Sequence, residues 1–186
     1  MSTRAAVFLD RDGTIIHARE YLADPALVQV IADAPESLAR LSAAGLALIV
    51  ITNQSGIGRG MFGEAEYQRV ADRVNELLAA HGVTITATYH CPDAPNVPME
   101  LSCRKPGDKM HRRAALEHGL DLKRSFYVGD KWRDVAPAVT HEATGILIPT
   151  PDTAFSDLAR AKDDALVATT LTAAVDRILR THAQRG

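Results

Sequence analysis

The sequence has little of what marks a secreted, membrane-bound or nucleic-acid-binding chain. Its two cysteines, Cys91 and Cys103, are too few for the disulfide framework of a small extracellular domain. The 21 Lys and Arg residues nearly balance 23 Asp and Glu, and the formal net charge of -2 creates no overall field for nucleic acid or an anionic membrane. No apolar run reaches membrane-spanning length and no signal-peptide pattern opens the chain, which predicts a cytoplasmic protein.

Internal repeats, low-complexity tracts and linkers are also lacking. A length of 186 residues suits one domain with a sizeable core, so we predict a single domain over residues 1–186. The long irregular stretch runs from Cys91 to Gly107 and carries several prolines. A loop of this length inside a compact domain is usually functional or tied by a metal.

Short apolar runs alternate with longer amphipathic segments, the pattern of an α/β fold. We predict a Rossmann-like three-layer sandwich with a mostly parallel central sheet. The predicted strands are 5–9, 46–51, 85–89, 125–128, 145–148 and 165–167. The predicted helices are 34–44, 64–80, 109–117, 135–141 and 171–179, followed by a frayed polar tail to Gly186.

Two carboxylates follow the first predicted strand, in the segment Asp10-Arg11-Asp12-Gly13-Thr14. Open α/β sheets bind ligands at the carboxyl ends of their strands, which is where Asp10 and Asp12 are expected. One carboxylate can attack phosphorus and coordinate a metal, while the other can protonate a leaving oxygen. An Asp- and Gly-rich turn is the alternative interpretation of this segment taken alone.

The second predicted strand ends in Thr52-Asn53-Gln54-Ser55-Gly56, followed by a glycine-rich turn that contains Arg59. Hydroxyl and backbone N–H groups at a strand tip suit the oxygens of a transferring phosphoryl group, although the segment is equally suited to capping a helix. Arg104 and Lys105 follow the proline-rich loop. The compact ammonium group of Lys105 suits a phosphoryl oxygen, and the planar guanidinium of Arg104 can donate two parallel hydrogen bonds to a second phosphate or to sugar hydroxyls.

A third strand tip carries Asp130 in the segment Gly129-Asp130-Lys131-Trp132-Arg133-Asp134. Asp130 is positioned to complete a magnesium site of hard oxygens. Asp134 is expected either to do the same or to cap the helix that follows.

In this order, the segments resemble the haloacid dehalogenase (HAD) superfamily of aspartyl phosphatases, from Ala5 to about Asp134. The stretches F-L-D-R-D-G-T-I-I, T-N-Q-S-G-I-G-R-G, C-R-K-P and V-G-D-K are similar to the branch of D,D-heptose 1,7-bisphosphate and histidinol phosphatases. The resemblance implies a capless, monomeric, Mg²⁺-dependent phosphatase acting on a small phosphorylated sugar or alcohol.

The resemblance also implies roles for individual residues. Asp10 would be the nucleophile, and Asp12 the general acid and base. Thr52 and Lys105 would stabilise the phosphoryl group. Asp10, the Asp12 backbone carbonyl and Asp130 would hold Mg²⁺. The residues expected to bind substrate or line its pocket are Arg11, Arg19, Tyr21, Asn53, Gln54, Ser55, Arg59, Arg104 and Lys131.

The proline-rich loop departs from this branch, whose members carry a structural zinc on a C-x-H pair and a later C-x-C pair. Here the two pairs read Cys91-Pro92-Asp93 and Leu101-Ser102-Cys103. Structural zinc sites almost always have four ligands, so Zn²⁺ on Cys91 and Cys103 is expected only if Asp93 and either His90 or water complete the set. If the loop follows the same path as in the family, Cys91 and Cys103 are close enough for a disulfide. A reducing cytosol nevertheless favours two free thiols.

Several functions stay open at this point. The leading one is removal of the 7-phosphate from heptose 1,7-bisphosphate, with Arg104, Arg59 and Arg19 near the distal phosphate. The alternative is a histidinol-phosphate phosphatase, for which Glu20 and Asp24 would supply an acidic wall. A nucleic-acid 3′-phosphatase shares the T-N-Q-x-G-I-G-R-G segment, but the balanced charge speaks against it. A phospho-ligand-sensing pseudophosphatase is the non-enzyme alternative, against which the complete set of catalytic carboxylates and lysine argues.

Overall fold

A computed structural model describes residues 3–185, and Met1, Ser2 and Gly186 lie outside the described residues. Over that range six strands form one sheet in the order β3-β2-β1-β4-β5-β6, and every neighbouring pair is parallel. The strands are β1 (Ala6–Leu9), β2 (Ala47–Asn53), β3 (Ala87–Cys91), β4 (Phe126–Gly129), β5 (Thr144–Leu147) and β6 (Leu166–Val167). The helices are α1 (Ala34–Ala43), α2 (Ser55–Gly58), α3 (Glu64–Ala79), α4 (Lys109–His118), α5 (Trp132–Thr140), α6 (Phe155–Asp164) and α7 (Leu171–Arg185), with a 3-10 turn at Pro25–Leu27.

Helices cover both faces of the sheet, which confirms the predicted three-layer α/β fold. Successive side chains of a strand point to opposite faces. Val7 and Leu9 therefore join one core with residues of α1, α3 and α7, while Ala6 and Phe8 join a second core with residues of α4 and α5. All four side chains are buried, and enclosing one the size of Phe8 contributes about 1.5–3 kcal/mol. Burial on both faces explains why β1 is a continuous apolar run rather than an alternating one.

Most predicted elements are observed, with ends shifted by up to three residues. The third strand is Ala87–Cys91 rather than 85–89, so it reaches the cysteine that opens the long loop. The last helix continues to Arg185, so the predicted frayed tail is wrong for the described residues. Two helices were not predicted, the short α2 and α6. Only Ala161 of α6 is buried, and Leu158 packs partly buried against the same small core.

The topology brings the ends of β1, β2 and β4 together. β1 lies between β2 and β4, so the loops that follow these three strands meet at one edge of the sheet, where open α/β folds bind ligands. The segments beginning at Asp10, Asn53 and Asp130 therefore become neighbours although they are far apart in sequence. Across residues 3–185 no helix combines the length and apolar character needed to cross a membrane.

Candidate active site

Three buried carboxylates converge at this edge. Asp10 follows β1, Asp130 follows β4, and Asp134 lies in the first turn of α5. One oxygen of each lies within 4.8 Å of those of the other two. The Asp10 backbone N–H donates to the carbonyl of Val128 at 2.9 Å, which continues the β1–β4 pairing to the first carboxylate.

Two glycines allow this close approach. Gly13 adopts a φ of +93°, and a Cβ added there would lie 2.7 Å from Oδ2 of Asp130. A Cβ added to Gly129 would overlap the side chain of Asp134. A larger residue at either position would displace a carboxylate, so the two glycines help to build the cluster.

Lys105 is the cation at the centre of the cluster. Its Nζ lies 2.6 Å from Oδ1 of Asp10 and 2.7 Å from Oδ1 of Asp134, and it donates to the carbonyl of Ile51 at 2.6 Å. The Lys105 side chain is 1% exposed, so these three oxygens replace its hydration. The side chain of Asn53 fixes the backbone of Lys105, accepting from its N–H at 3.0 Å and donating to its carbonyl at 3.2 Å.

The carboxylates outnumber the lysine, and their pKa values show the imbalance. Burial, opposed by the attraction of Lys105 and assisted by the charges of Asp134 and Asp12, raises the pKa of Asp10 to about 7. Burial and then Asp134 raise the pKa of Asp130 to about 6. Burial opposes the charged form of Lys105, but Asp10 and Asp134 outweigh it and hold the lysine pKa above its usual value.

This donor set fits a hard divalent cation. Carboxylate and carbonyl oxygens are the ligands that Mg²⁺ takes in proteins, and a cation here would offset the burial and the repulsion that raise these pKa values.

The Asp12 carboxylate is held at the cleft by its neighbours. Arg11 donates from Nε to Oδ2 and from Nη2 to Oδ1, both at 3.1 Å. Gln54 Nε2 contacts Asp12 Oδ2 at 2.9 Å and Thr52 Oγ1 at 2.8 Å. The guanidinium of Arg11 also lies 5.6 Å from the centre of the Tyr67 ring. These contacts limit the orientations open to the Asp12 side chain.

A cleft of about 310 Å³ opens above these groups. The predicted substrate-binding residues among its lining are Arg11, Arg19, Tyr21, Asn53, Gln54, Ser55 and Lys131. Arg59 and Arg104 do not belong to this lining, and Arg104 donates to the backbone carbonyl of Asp93 at 2.8 Å. The structure thus brings together Asp10, Asp12, Thr52 and most of the predicted binding residues.

Several residues at the site were missed or left open by sequence reasoning. Asp134 pairs with Lys105, and its Oδ2 also accepts from the Lys131 N–H at 3.0 Å, so it caps α5 as well. Arg133 lines the cleft beside Lys131. Thr153 donates to the carbonyl of Asp130 at 2.7 Å. A threonine in a turn gives no signal of such a role, whereas the G-D-x-x-x-D spacing did mark Asp134.

The long loop carries a disulfide between Cys91 and Cys103, so the expectation of two free thiols is wrong. Neither sulfur is then free to bind zinc, and zinc binding by the reduced pair stays a prediction. Asp93 accepts from Ser102 Oγ at 2.9 Å and from the Cys103 N–H at 3.0 Å, which closes the loop around its carboxylate. His90 contacts Glu64 at 2.9 Å instead of joining the cysteines. The cross-link anchors the segment that presents Arg104 and Lys105.

Comparisons with known proteins agree with this geometry. The HAD-hydrolase-like family model matches residues 102–174. A D-glycero-beta-D-manno-heptose-1,7-bisphosphate 7-phosphatase of Photorhabdus laumondii is 36% identical over 151 residues, which cover 78% of this chain and 80% of that protein. The Salmonella typhi protein of the same name is 34% identical over 164 residues, 85% of this chain and 87% of its own length. The crystal structure of D,D-heptose 1,7-bisphosphate phosphatase from B. bronchiseptica, complexed with magnesium and phosphate, aligns with a TM-score of 0.84 at 28% identity and covers 95% of this chain and 98% of that one.

Proposed function

The chain belongs to the HAD-like hydrolases, in the family of the heptose-bisphosphate phosphatases, and we propose that it removes the 7-phosphate of D-glycero-D-manno-heptose 1,7-bisphosphate with the help of Mg²⁺. One observation carries this proposal: Asp10 lies at the floor of the cleft, 2.6 Å from the buried ammonium of Lys105 and beside Asp130 and Asp134. We take residues 1–186 as one domain that acts as a monomer in the cytoplasm.

Asp10, Asp130 and the backbone carbonyl of Asp12 are the groups that would hold Mg²⁺. The hard oxygen donors and the raised pKa values of Asp10 and Asp130 support this assignment, as does the magnesium in the B. bronchiseptica relative. When bound, the ion supplies positive charge that screens the nucleophile from the phosphate and polarises a phosphoryl oxygen.

The chain's own residues then divide the chemistry. A carboxylate oxygen of Asp10 forms a bond to phosphorus as the bond from phosphorus to the sugar oxygen breaks, giving an aspartyl-phosphate. Lys105 and Thr52 offset the negative charge on the phosphoryl oxygens. Asp12, protonated for this step, donates its proton to the departing sugar oxygen and later takes one from the water that hydrolyses the aspartyl-phosphate. Arg11 and Gln54 keep the Asp12 carboxyl turned toward the cleft.

The test is phosphate release with Mg²⁺ from heptose 1,7-bisphosphate in both anomers, from histidinol phosphate and from a 3′-phosphorylated oligonucleotide. We expect kcat/KM for one heptose anomer to exceed that for histidinol phosphate at least tenfold. Asp10→Asn should release no phosphate above background, whereas Asp72→Asn, an exposed change on α3, should match the wild type.

A preference for histidinol phosphate would overturn the proposed substrate. Substantial turnover by Asp10→Asn would overturn the nucleophile. Absence of release from all substrates by the wild type would favour a phosphate-sensing protein over an enzyme.

A further inference from the structure

The turn that follows β5 lies against Asp130, one of the residues assigned to Mg²⁺. The Ile148 N–H donates to the carbonyl of Gly129 at 2.9 Å, which extends the β4–β5 pairing beyond the end of β5. The chain then turns through Pro149-Thr150-Pro151-Asp152-Thr153. A proline fixes its own φ and restricts the residue before it to extended backbone, so two prolines leave this turn few conformations. The turn is therefore a stiff support beside the strand end that carries Asp130.

The hydroxyl of Thr153 ties this turn to the backbone of Asp130. Its Oγ1 donates to the Asp130 carbonyl at 2.7 Å and accepts from the Thr150 N–H at 2.8 Å. The Thr153 N–H donates to the Thr150 carbonyl at 3.0 Å, so the two threonines also hold each other. A hydroxyl has one proton to donate, and here it goes to the first carbonyl after the end of β4. Thr153 thus fixes the peptide that follows Asp130.

The carboxylate of Asp130 has a second, weaker contact with the same turn. Thr150 Oγ1 donates to Oδ2 of Asp130 at 3.4 Å, and this is the one hydrogen bond to that carboxylate among residues 3–185. The distance is long for a hydroxyl donor, for which about 2.7–2.8 Å is usual. The orientation of the carboxylate therefore depends chiefly on the backbone that Thr153 holds.

We propose that Thr153 is a positioning residue for metal binding: its hydroxyl holds the backbone of Asp130 so that the carboxylate is already oriented when Mg²⁺ arrives. This inference rests on the assignment of Asp130 in the proposed function and deepens it. Mg²⁺ demands near-ideal octahedral geometry, so a ligand free to rotate binds it less well. Residues that hydrogen-bond to metal ligands typically change metal affinity by about 10–100-fold when they are replaced.

Urea unfolding at graded Mg²⁺ concentrations, without substrate, measures this effect apart from turnover. An ion that binds the folded protein raises the free energy of unfolding by an amount set by its concentration and Kd. Thr153→Val keeps the branched shape but lacks the hydroxyl, and it should raise the Kd for Mg²⁺ about 10–100-fold. Thr153→Ser keeps the hydroxyl and should bind Mg²⁺ like the wild type. Thr150→Val should have a smaller effect than Thr153→Val, because it loses only the 3.4 Å contact with the carboxylate.

Two controls tie the measurement to this site. Asp130→Asn should lose most of the stabilisation by Mg²⁺. Thr144→Val is the matched control, because Thr144 lies at the opposite end of β5 and its hydroxyl accepts from Arg185 Nη2 at 3.2 Å. Its removal should leave the Kd for Mg²⁺ unchanged.

Phosphate release supplies an independent readout. Thr153→Val should need more Mg²⁺ for half its maximal rate, by the same factor as the change in Kd. At saturating Mg²⁺ its KM for the sugar phosphate should equal that of the wild type, because Thr153 does not belong to the lining of the cleft.

Equal Mg²⁺ affinity of Thr153→Val and the wild type would overturn the inference, even if the variant were less stable in EDTA, because the hydroxyl would then support only the fold. An equal loss of affinity in Thr153→Ser would also overturn it, as would a wild type or an Asp130→Asn protein whose response to Mg²⁺ excludes Asp130 as a ligand. Failure of the proposed function would look different. The wild type would bind Mg²⁺ and the Thr153 variants would still differ in affinity, but no phosphate would be released from heptose 1,7-bisphosphate.

Discussion

Replacing Lys105 with methionine tests the charge balance at the centre of the site. Methionine has a similar length but no charge, so the change removes the ammonium with little change in volume. Asp10, Asp130 and Asp134 would then share a space in which their oxygens lie within 4.8 Å, and the carbonyl of Ile51 would lose its donor.

The expected cost follows from these distances. Two carboxylates 4.8 Å apart repel by about 3.5 kcal/mol at an effective dielectric constant of about 20. Removing one partner of a buried ion pair typically costs about 3–5 kcal/mol. We therefore expect Lys105→Met to lower the free energy of unfolding by about 3–5 kcal/mol at pH 7.5 when no divalent cation is present.

The loss should depend on pH in a defined direction. In the folded protein burial raises the pKa of Asp10 to about 7, and without Lys105 this value rises further, far above the value of about 3.9 in an unfolded chain. Over the window between those values the folded state binds more protons than the unfolded state, so stability rises as pH falls. The wild type shares this gain below its own Asp10 pKa of about 7, so the deficit of the variant should shrink as the pH falls toward 7 and change little below it.

The assay is urea unfolding with EDTA and with saturating Mg²⁺, at several pH values. Mg²⁺ should recover part of the lost stability of Lys105→Met. Lys123→Met, which removes an exposed partner of Glu142, is the control and should unfold like the wild type. A Lys105→Met protein that is as stable as the wild type in EDTA would refute this account of the site. So would a loss in free energy of unfolding that is the same at every pH.

Two further predictions concern the support of the site. Burial, with the charges of Lys105 and His141, lowers the pKa of His111 well below 6.5, so the folded state resists its protonation and loses stability as pH falls below 6.5. As pH falls below 6.5, the free energy of unfolding of His111→Phe, measured in urea, should rise relative to that of the wild type by up to about 1.4 kcal/mol per pH unit. A difference between the two proteins that stays constant with pH would contradict this. Replacing both Cys91 and Cys103 with serine should lower the free energy of unfolding by about 3 kcal/mol, because the disulfide closes a loop across a separation of 12 residues and so restricts the unfolded chain. An unchanged thermal midpoint of unfolding would refute this.

The sequence predicted most of the sheet because β1, β2, β4 and β5 are largely buried on both faces and read as apolar runs. Its errors occur where tertiary contacts decide the outcome. Helix α6 was not predicted, and it buries only Ala161. α7 continues to Arg185 with partly buried residues near its end, where a polar composition suggested fraying. The free-thiol prediction rested on the presumed compartment, whereas the path of the loop places Cys91 and Cys103 within bonding reach.

By itself, the sequence predicted the residues to which the chemistry is assigned, because Asp10, Thr52 and Asp130 each stand at the end of a recognisable parallel strand and such strand ends share one edge. Only the tertiary structure decided how their charges are balanced. Lys105 reaches Asp10 across 95 residues, and Asp134 lies 2.7 Å from the Lys105 ammonium but 3.8 Å from Nε of the adjacent Arg133. Those relations depend on distances of a few ångströms between segments that are remote in the chain, and no local pattern encodes them.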